Sequence, residues 1–281
     1  PGDWRKGSST GSEADEPASC MNVFGLDGKV KRTIIWQCTK GAIPRLDAKG
    51  NIYLAEMIKP PDRNFPEFFD GKINPPPKQT AEQSASYYYS YMYGSIVKFP
   101  PTGGALWFKT NLTASVEGTP PAELLGLPKE PVRIHTGYGT QQKGELQGAL
   151  WWRFGFSPYT CVLSSCMLTC MCEGGGFDVD PYGRVFFPNL GRFRVEVLDT
   201  NGNPLTMFGR YGNQDDGKVK GQASSSPLSP QVSSLSPSSV PLAWPITVSV
   251  SDTHAYVADT LSRRVAKVKL NYVAEQLCPL P

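Results

Sequence analysis

Three segments of this chain are written to one pattern, and a chain that repeats a supersecondary unit has few ways to fold. The first runs Leu46-Asp47-Ala48-Lys49-Gly50-Asn51-Ile52-Tyr53-Leu54-Ala55-Glu56. The second runs Val179-Asp180-Pro181-Tyr182-Gly183-Arg184-Val185-Phe186-Phe187-Pro188-Asn189. The third, one residue shorter in its turn, runs Val250-Ser251-Asp252-Thr253-His254-Ala255-Tyr256-Val257-Ala258-Asp259. Each is an alternating strand, a tight polar turn, a second apolar strand, and then an acidic or amide residue.

The unit extends further. Arg194-Val195-Glu196-Val197-Leu198 and Arg264-Val265-Ala266-Lys267-Val268 supply a third strand, and Pro204–Gly209 a fourth. In the first copy the third strand, Ser95–Phe99, is delayed by a long insertion. The strands a to d are joined by turns rich in Gly, Asn and Asp, which tolerate the positive φ angles of tight hairpins. Period-two alternation predicts one buried face per strand. The expected fold is all-β, a β-propeller built of four-stranded antiparallel blades with long loop insertions. Strands near 46–48, 178–180 and 247–250 are then innermost.

The pattern resembles the NHL repeat of β-propellers, best over Phe177–Gly209, well over Pro245–Leu270 and less closely in the first copy. Together these cover less than half of the chain. The run from Leu242-Ala243-Trp244-Pro245 to Ala258-Asp259-Thr260-Leu261 resembles large bacterial surface-type NHL proteins of unassigned role. The resemblance implies architecture and says little of activity, because one fold hosts many functions.

Upstream, Met21–Phe24, the turn Leu26-Asp27-Gly28 and Val30–Trp36 read as strands c and d of an earlier blade. The third copy shows no obvious strand d after Leu270. Either the two ends close one ring, or this is an incomplete arc of a larger ring. The chain opens Pro1-Gly2-Asp3-Trp4, without initiator Met or signal peptide, and reads as an excised piece of a longer protein. Residues 1–19 are Gly-, Ser- and Glu-rich and are expected to be mobile, with the propeller spanning 20–281.

A formal charge of +3 gives no nucleic-acid footprint. No apolar run reaches the roughly 18 residues of a transmembrane segment. Seven cysteines are many for a cytosolic domain, so the expected location is extracellular or periplasmic, and the odd count leaves one thiol over. Asn111-Leu112-Thr113 is a formal glycosylation sequon of high chance frequency.

Three insertions stand out: 57–93, 110–147 and 210–243. The second ends at Gly148-Ala149-Leu150-Trp151-Trp152, which echoes Gly104-Ala105-Leu106-Trp107-Phe108. It is either a degenerate blade or a loop carrying an alternative strand d at its end. In a four-stranded meander the b–c turns and d–a connections share one face of the disc, and the a–b and c–d turns share the other. The b–c insertion 57–93 and the d–a connections 157–175 and 210–243 therefore belong to one face. Loops on a rigid scaffold carry function, which makes that face the expected functional one.

Candidate residues follow. Cys161, Cys166, Cys170 and Cys172 fall in twelve residues; their spacing misses the zinc knuckle and the ferredoxin patterns, so disulfide staples are favoured over a metal site and over free or otherwise modified thiols. Tyr87, Tyr88, Tyr89, Tyr91 and Tyr93 offer rigid contact area for a carbohydrate or peptide, or else pack the loop onto the disc. Glu56, Asn189 and Asp259 end strand b of each copy. Structural turn contacts are the favoured role there, as in NHL-like blades; the alternative is a central Ca²⁺ or Zn²⁺ site of the kind gluconolactonase-type propellers hold, although no distinctive lactonase motif stands out. His254 sits in an a–b turn, and His135 is far from it in sequence. The leading function is an exported binding or scaffold module without catalysis of its own. Its partner would be a protein, peptide or carbohydrate, or the remaining blades of its own longer chain. A metal-dependent propeller hydrolase or lyase is the alternative, and a metal or redox centre at the cysteines the third reading.

Overall fold

Strands account for nearly all the regular structure, as the repeat requires. The structure is a computed structural model that describes residues 19–38, 43–56, 58–61, 63, 66–71, 94–108, 132–136, 143–156, 159–160, 173–174, 176–212 and 240–271. In chain order the strands are β1 (Ser19–Phe24), β2 (Val30–Cys38), β3 (Arg45–Leu46), β4 (Ile52–Glu56), β5 (Ile58–Lys59), β6 (Gly94–Phe99) and β7 (Gly104–Phe108). Then come β8 (Val132–Thr136), β9 (Lys143–Gln147), β10 (Trp151–Phe156), β11 (Tyr159–Thr160), β12 (Glu173–Gly174), β13 (Asp178–Val179) and β14 (Val185–Asn189). The last are β15 (Arg194–Leu198), β16 (Pro204–Phe208), β17 (Arg210–Tyr211), β18 (Pro241–Leu242), β19 (Pro245–Val250), β20 (His254–Asp259) and β21 (Arg264–Lys269). Among the described residues helix is confined to 3-10 turns at Glu67–Phe69 and Leu190–Arg192.

Four sheets carry the fold. Sheet I has six strands in the order β1-β2-β7-β9-β8-β5 and curls into a half-barrel. Sheet II, order β10-β6-β4-β3, and sheet III, order β13-β14-β15-β16, are four-stranded and fully antiparallel. Sheet IV, β19-β20-β21, has three strands. Sheets II, III and IV are the three copies of the repeat. Ribbons β11-β12 and β17-β18 close the connections that leave sheets II and III.

The sheets stack face to face in the order I, II, III, IV, with one apolar layer in each gap. Ile52, Leu54, Val97 and Phe99 of sheet II meet Ile35, Leu106, Ile134 and Leu146 of sheet I. Tyr53, Ala55 and Ile96 on the other face of sheet II meet Val185, Phe187 and Leu198 of sheet III. Phe186, Val195 and Val197 of sheet III meet Val248, Ala255 and Val257 of sheet IV. Strands β4, β6 and β14 are therefore buried on both faces. That departs from the one-faced alternation expected from period two; it holds in sheet IV, where β21 alternates half-buried and exposed positions. Continuous runs such as Ile52-Tyr53-Leu54-Ala55 are the signature of two-sided burial.

Two expectations about the N-terminal half are revised. The segments 19–24 and 30–38 do form an antiparallel hairpin, but β2 continues the sheet through a parallel contact with β7, not through upstream strands. The 110–147 insertion is not a separate blade, since β8 and β9 pair with each other and with β7 and β5 in sheet I; the alternative strand d expected at its end is present. The fourth strand of sheet II is β10, which pairs with β6. Gly103 marks the divergence: its φ is 89°, and a Cβ there would fall on the Ile34 carbonyl, so only glycine lets β7 come in beside β2.

Candidate functional site

Opposite ends of the sheets are built differently. One end, here the turn end, holds the a–b and c–d turns. Asp47, Asp180 and Asp199 each begin an Asp-x-x-Gly turn. Each accepts from the backbone N–H groups two and four residues on, at 2.8–3.0 Å. Gly50, Gly183 and Gly202 follow at φ 77°, 77° and 83°. These are self-contained turns whose carboxylates replace the solvation lost in the bend. The third copy closes one residue earlier, with Ser251 N donating to the His254 carbonyl at 2.8 Å.

Asp47 does more. Its Oδ2 also accepts from Tyr53 Oη at 3.0 Å, and Lys98 Nζ lies 3.5 Å away. Burial alone would raise its pKa, but the hydrogen bonds from Asn51, Tyr53 and Lys49 outweigh that and hold it below the usual carboxylate range. Lys98 Nζ reaches across to the Thr200 carbonyl of sheet III at 2.9 Å, as does Trp151 Nε1. Burial lowers the Lys98 pKa more than Asp47 raises it.

The inner edge is tied by one residue. Asp178 Oδ1 accepts from Arg45 Nε of β3 at 3.0 Å, and its Oδ2 accepts from Ser249 Oγ at 3.1 Å and Val250 N at 2.9 Å. The expected innermost strands of sheets II, III and IV thus meet at a single carboxylate. Gly176 and Thr247 add a parallel backbone bridge beside it, in which Gly176 N donates to the Ile246 carbonyl and the Gly176 carbonyl accepts from Val248 N.

The other end, the corner end, carries the candidate site. Strand b of sheets III and IV turns into strand c through one device. Asn189-Leu190-Gly191-Arg192-Phe193-Arg194 matches Asp259-Thr260-Leu261-Ser262-Arg263-Arg264. Phe193 (φ 54°) and Arg263 (φ 48°) are the two non-glycine residues with positive φ among those described. Each donates its N–H three residues back at 3.1 Å.

Glu56, Asn189 and Asp259 are all buried at this end. Strand alternation fixes where each faces. Glu56 shares its face with Ile52 and Leu54, in the layer between sheets I and II; Asn189 shares its face with Val185 and Phe187, between II and III; Asp259 shares its face with Ala255 and Val257, between III and IV. They occupy three different layers and do not converge. Asp259 accepts from Ala243 N at 3.1 Å and Trp244 N at 2.7 Å and pairs with Arg264 at 3.2 Å, which is the turn-stabilising role favoured from sequence. Arg264 also donates to the Pro241 carbonyl. Asn189 Nδ2 donates to Glu196 Oε1 at 3.1 Å. Among the described residues no three His, Cys, Asp or Glu side chains are grouped to hold a metal ion.

Around Asn189 the corner of sheet III is crowded with function-bearing groups. Glu196 Oε1 also takes Arg192 Nη1 at 3.3 Å and Arg194 Nη2 at 2.7 Å. The Arg192 guanidinium lies 5.3 Å over the Phe68 ring, and Phe68 and Phe69 pack against Gly191. On the other side Phe193 meets exposed Tyr211 edge-on at 4.7 Å. Arg63 pairs with Glu67 and Asp70 beside the two phenylalanines. Thus the start of insertion 57–93 and the start of insertion 210–243 flank one corner. Register adds the third: Phe156, the last residue of β10, pairs with Gly94 at this same end, so the 157–175 connection also leaves here. The ladder Tyr159↔Gly174, Thr160↔Glu173 closes it.

Tyr87, Tyr88, Tyr89, Tyr91, Tyr93, Cys161, Cys166, Cys170 and Cys172 lie outside the described residues. His254 begins β20 at the turn end, with Thr253 Oγ1 2.8 Å from its Nδ1, and stands opposite Lys269. His135 stands opposite Lys59 in the β5–β8 ladder. Lys59 is fully buried, and desolvation alone brings its pKa down to about 8. Neither that pair nor Glu196 and Asp178 was singled out from sequence; for Glu196 the signal was a charge within an apolar strand, flanked by Val195 and Val197.

No family model matches the chain, and no curated protein is detectably similar to it.

Proposed function

We propose that the chain is a non-catalytic binding module of NHL-type β-propeller architecture, from an exported protein, whose ligand surface is the corner end. The observation that carries this reading is the convergence of three insertions on that end, while the opposite end is closed by short Asp-x-x-Gly turns. A rigid stack with loops gathered on one end is the architecture of a recognition surface. The succession of antiparallel sheets joined at their inner strands by Asp178 supports the propeller component. The cysteine content supports export. Separate layers for Glu56, Asn189 and Asp259 speak against the central-metal hydrolase.

The test is binding to arrayed glycans and peptides by three proteins. These are the native chain, a corner-end variant (Arg192→Ala with Tyr211→Ala) and a turn-end variant (Tyr182→Ala with Asp27→Ala). The corner-end changes should reduce binding at least about tenfold, the loss of one good contact, and the turn-end changes should leave it intact. An equal loss in both variants, or no arrayed ligand for the native chain, overturns the reading.

A further inference from the structure

Resting on the binding-module reading, we propose that the corner of sheet III is a subsite for a neutral saccharide, with Asn189 Oδ1 accepting a sugar hydroxyl. Asn189 is 1% exposed, and its Oδ1 has no hydrogen-bond partner among the described residues. The amide cannot turn round to solve this. Glu196 is an acceptor, so Nδ2 must face it, and Oδ1 is left pointing away. A buried acceptor without a donor is costly to a fold, so such an atom marks a place where a donor belongs.

The neighbours decide what kind of donor. A cation would stand beside the guanidinium groups of Arg192 and Arg194. An anion would face the Asn189 carbonyl and Glu196, whose contacts among the described residues all fall on Oε1, leaving Oε2 as a further acceptor. Both are disfavoured, which leaves a neutral group with O–H donors. Planar amide, carboxylate and guanidinium groups in one cluster match the paired hydroxyls of a sugar ring. The Phe68 and Phe69 rings beside Gly191 offer flat apolar surface for its C–H face. Access is through Arg192. Its side chain is 40% exposed and its 3.3 Å contact is the longest that Glu196 accepts, so it is the group that can swing aside.

Saturation-transfer NMR on the whole chain tests this, with D-glucose, D-galactose, D-mannose and N-acetyl-D-glucosamine as probes and sodium sulfate and spermidine as charged controls. At least one sugar should receive saturation, without competition from either control. Asn189→Ala, shown folded by its melting curve, should weaken that sugar roughly tenfold, and Tyr182→Ala should not. Should Asn189→Ala fail to fold, Glu196→Gln keeps the volume and must show the same weakening. The proposal is overturned if no sugar receives saturation, if the variants bind like the native chain, or if crystals grown in concentrated sugar show only ordered water on Oδ1. Peptide binding on the array without any sugar binding would remove this subsite and leave the binding-module reading standing. Binding of neither would remove both.

Discussion

Lys59 shows how a single side chain can work against its own fold. Its amine is fully buried, with its pKa down to about 8 against an ordinary 10.5. Below pH 8 it is charged both folded and unfolded, and only the folded state bears the desolvation. The cost is full there, about 3 kcal/mol. As pH rises above 8 the folded amine loses its proton first; the penalty shrinks and is gone above 10.5. Lys59→Met removes that penalty together with the contact the side chain makes, so the variant's stability to urea relative to the native chain should fall by up to about 3 kcal/mol as pH rises from 8 to 10.5. A difference independent of pH would show that packing, not charge, is responsible. Such a residue is invisible in sequence, where Ile58-Lys59-Pro60 reads as the polar start of a loop. What buries Lys59 is β8, more than seventy residues downstream, and no local pattern encodes that contact. Asp259 is the contrary case: structural contacts were the expected role for the residue that ends strand b, and its carboxylate accepts from Ala243 N and Trp244 N and pairs with Arg264.

At the scale of elements, the tight turns were the most legible part of the chain. Asp-x-x-Gly fixes a backbone shape through bonds made within five residues. Gly202 is held there twice, by a φ of 83° and by Trp151, whose ring would lie 2.7 Å from an added Cβ. Gly202→Ala should cost about 2–3 kcal/mol, from left-handed strain and the displaced indole together. Chemical denaturation would measure it, and a cost below about 0.5 kcal/mol, the range of an ordinary surface change, would mean that the c–d turn re-forms freely. The strands were less legible. Gly104–Phe108 and Gly148–Trp152 have nearly the same composition, yet the first joins sheet I and part of the second joins sheet II. Strand preference cannot choose between such partners, since pairing depends on what lies on either face. The corner of sheet III was legible only in part: Asn189 was named with Glu56 and Asp259 as the residue that ends strand b, while Glu196 joins it only through the turn that brings Arg192 and Arg194 onto it.

For the whole molecule the edge formed by β3, β13 and β19 matters most. Asp178 joins Arg45, Ser249 and Val250, so sheets II, III and IV share one carboxylate at their meeting point. Asp178→Ala would leave the Arg45 charge and the Val250 N–H without their acceptor, at about 3 kcal/mol. It should also widen the scattering profile of the folded protein as the three sheets splay. Unchanged stability and an unchanged radius would show that the apolar layers alone set the stacking. The excursion between β6 and β10 has a different kind of consequence. Sheet II receives its last strand only after the chain has left it, laid β7, β8 and β9 into sheet I, and come back. On a ribosome, therefore, sheet II cannot finish before sheet I. A chain stopped anywhere between 100 and 142 would hold two unfinished sheets with open edges, a species prone to association with its own kind. The two sheets should be made, melted and inherited as one piece, and a border drawn between them for recombination would cut both.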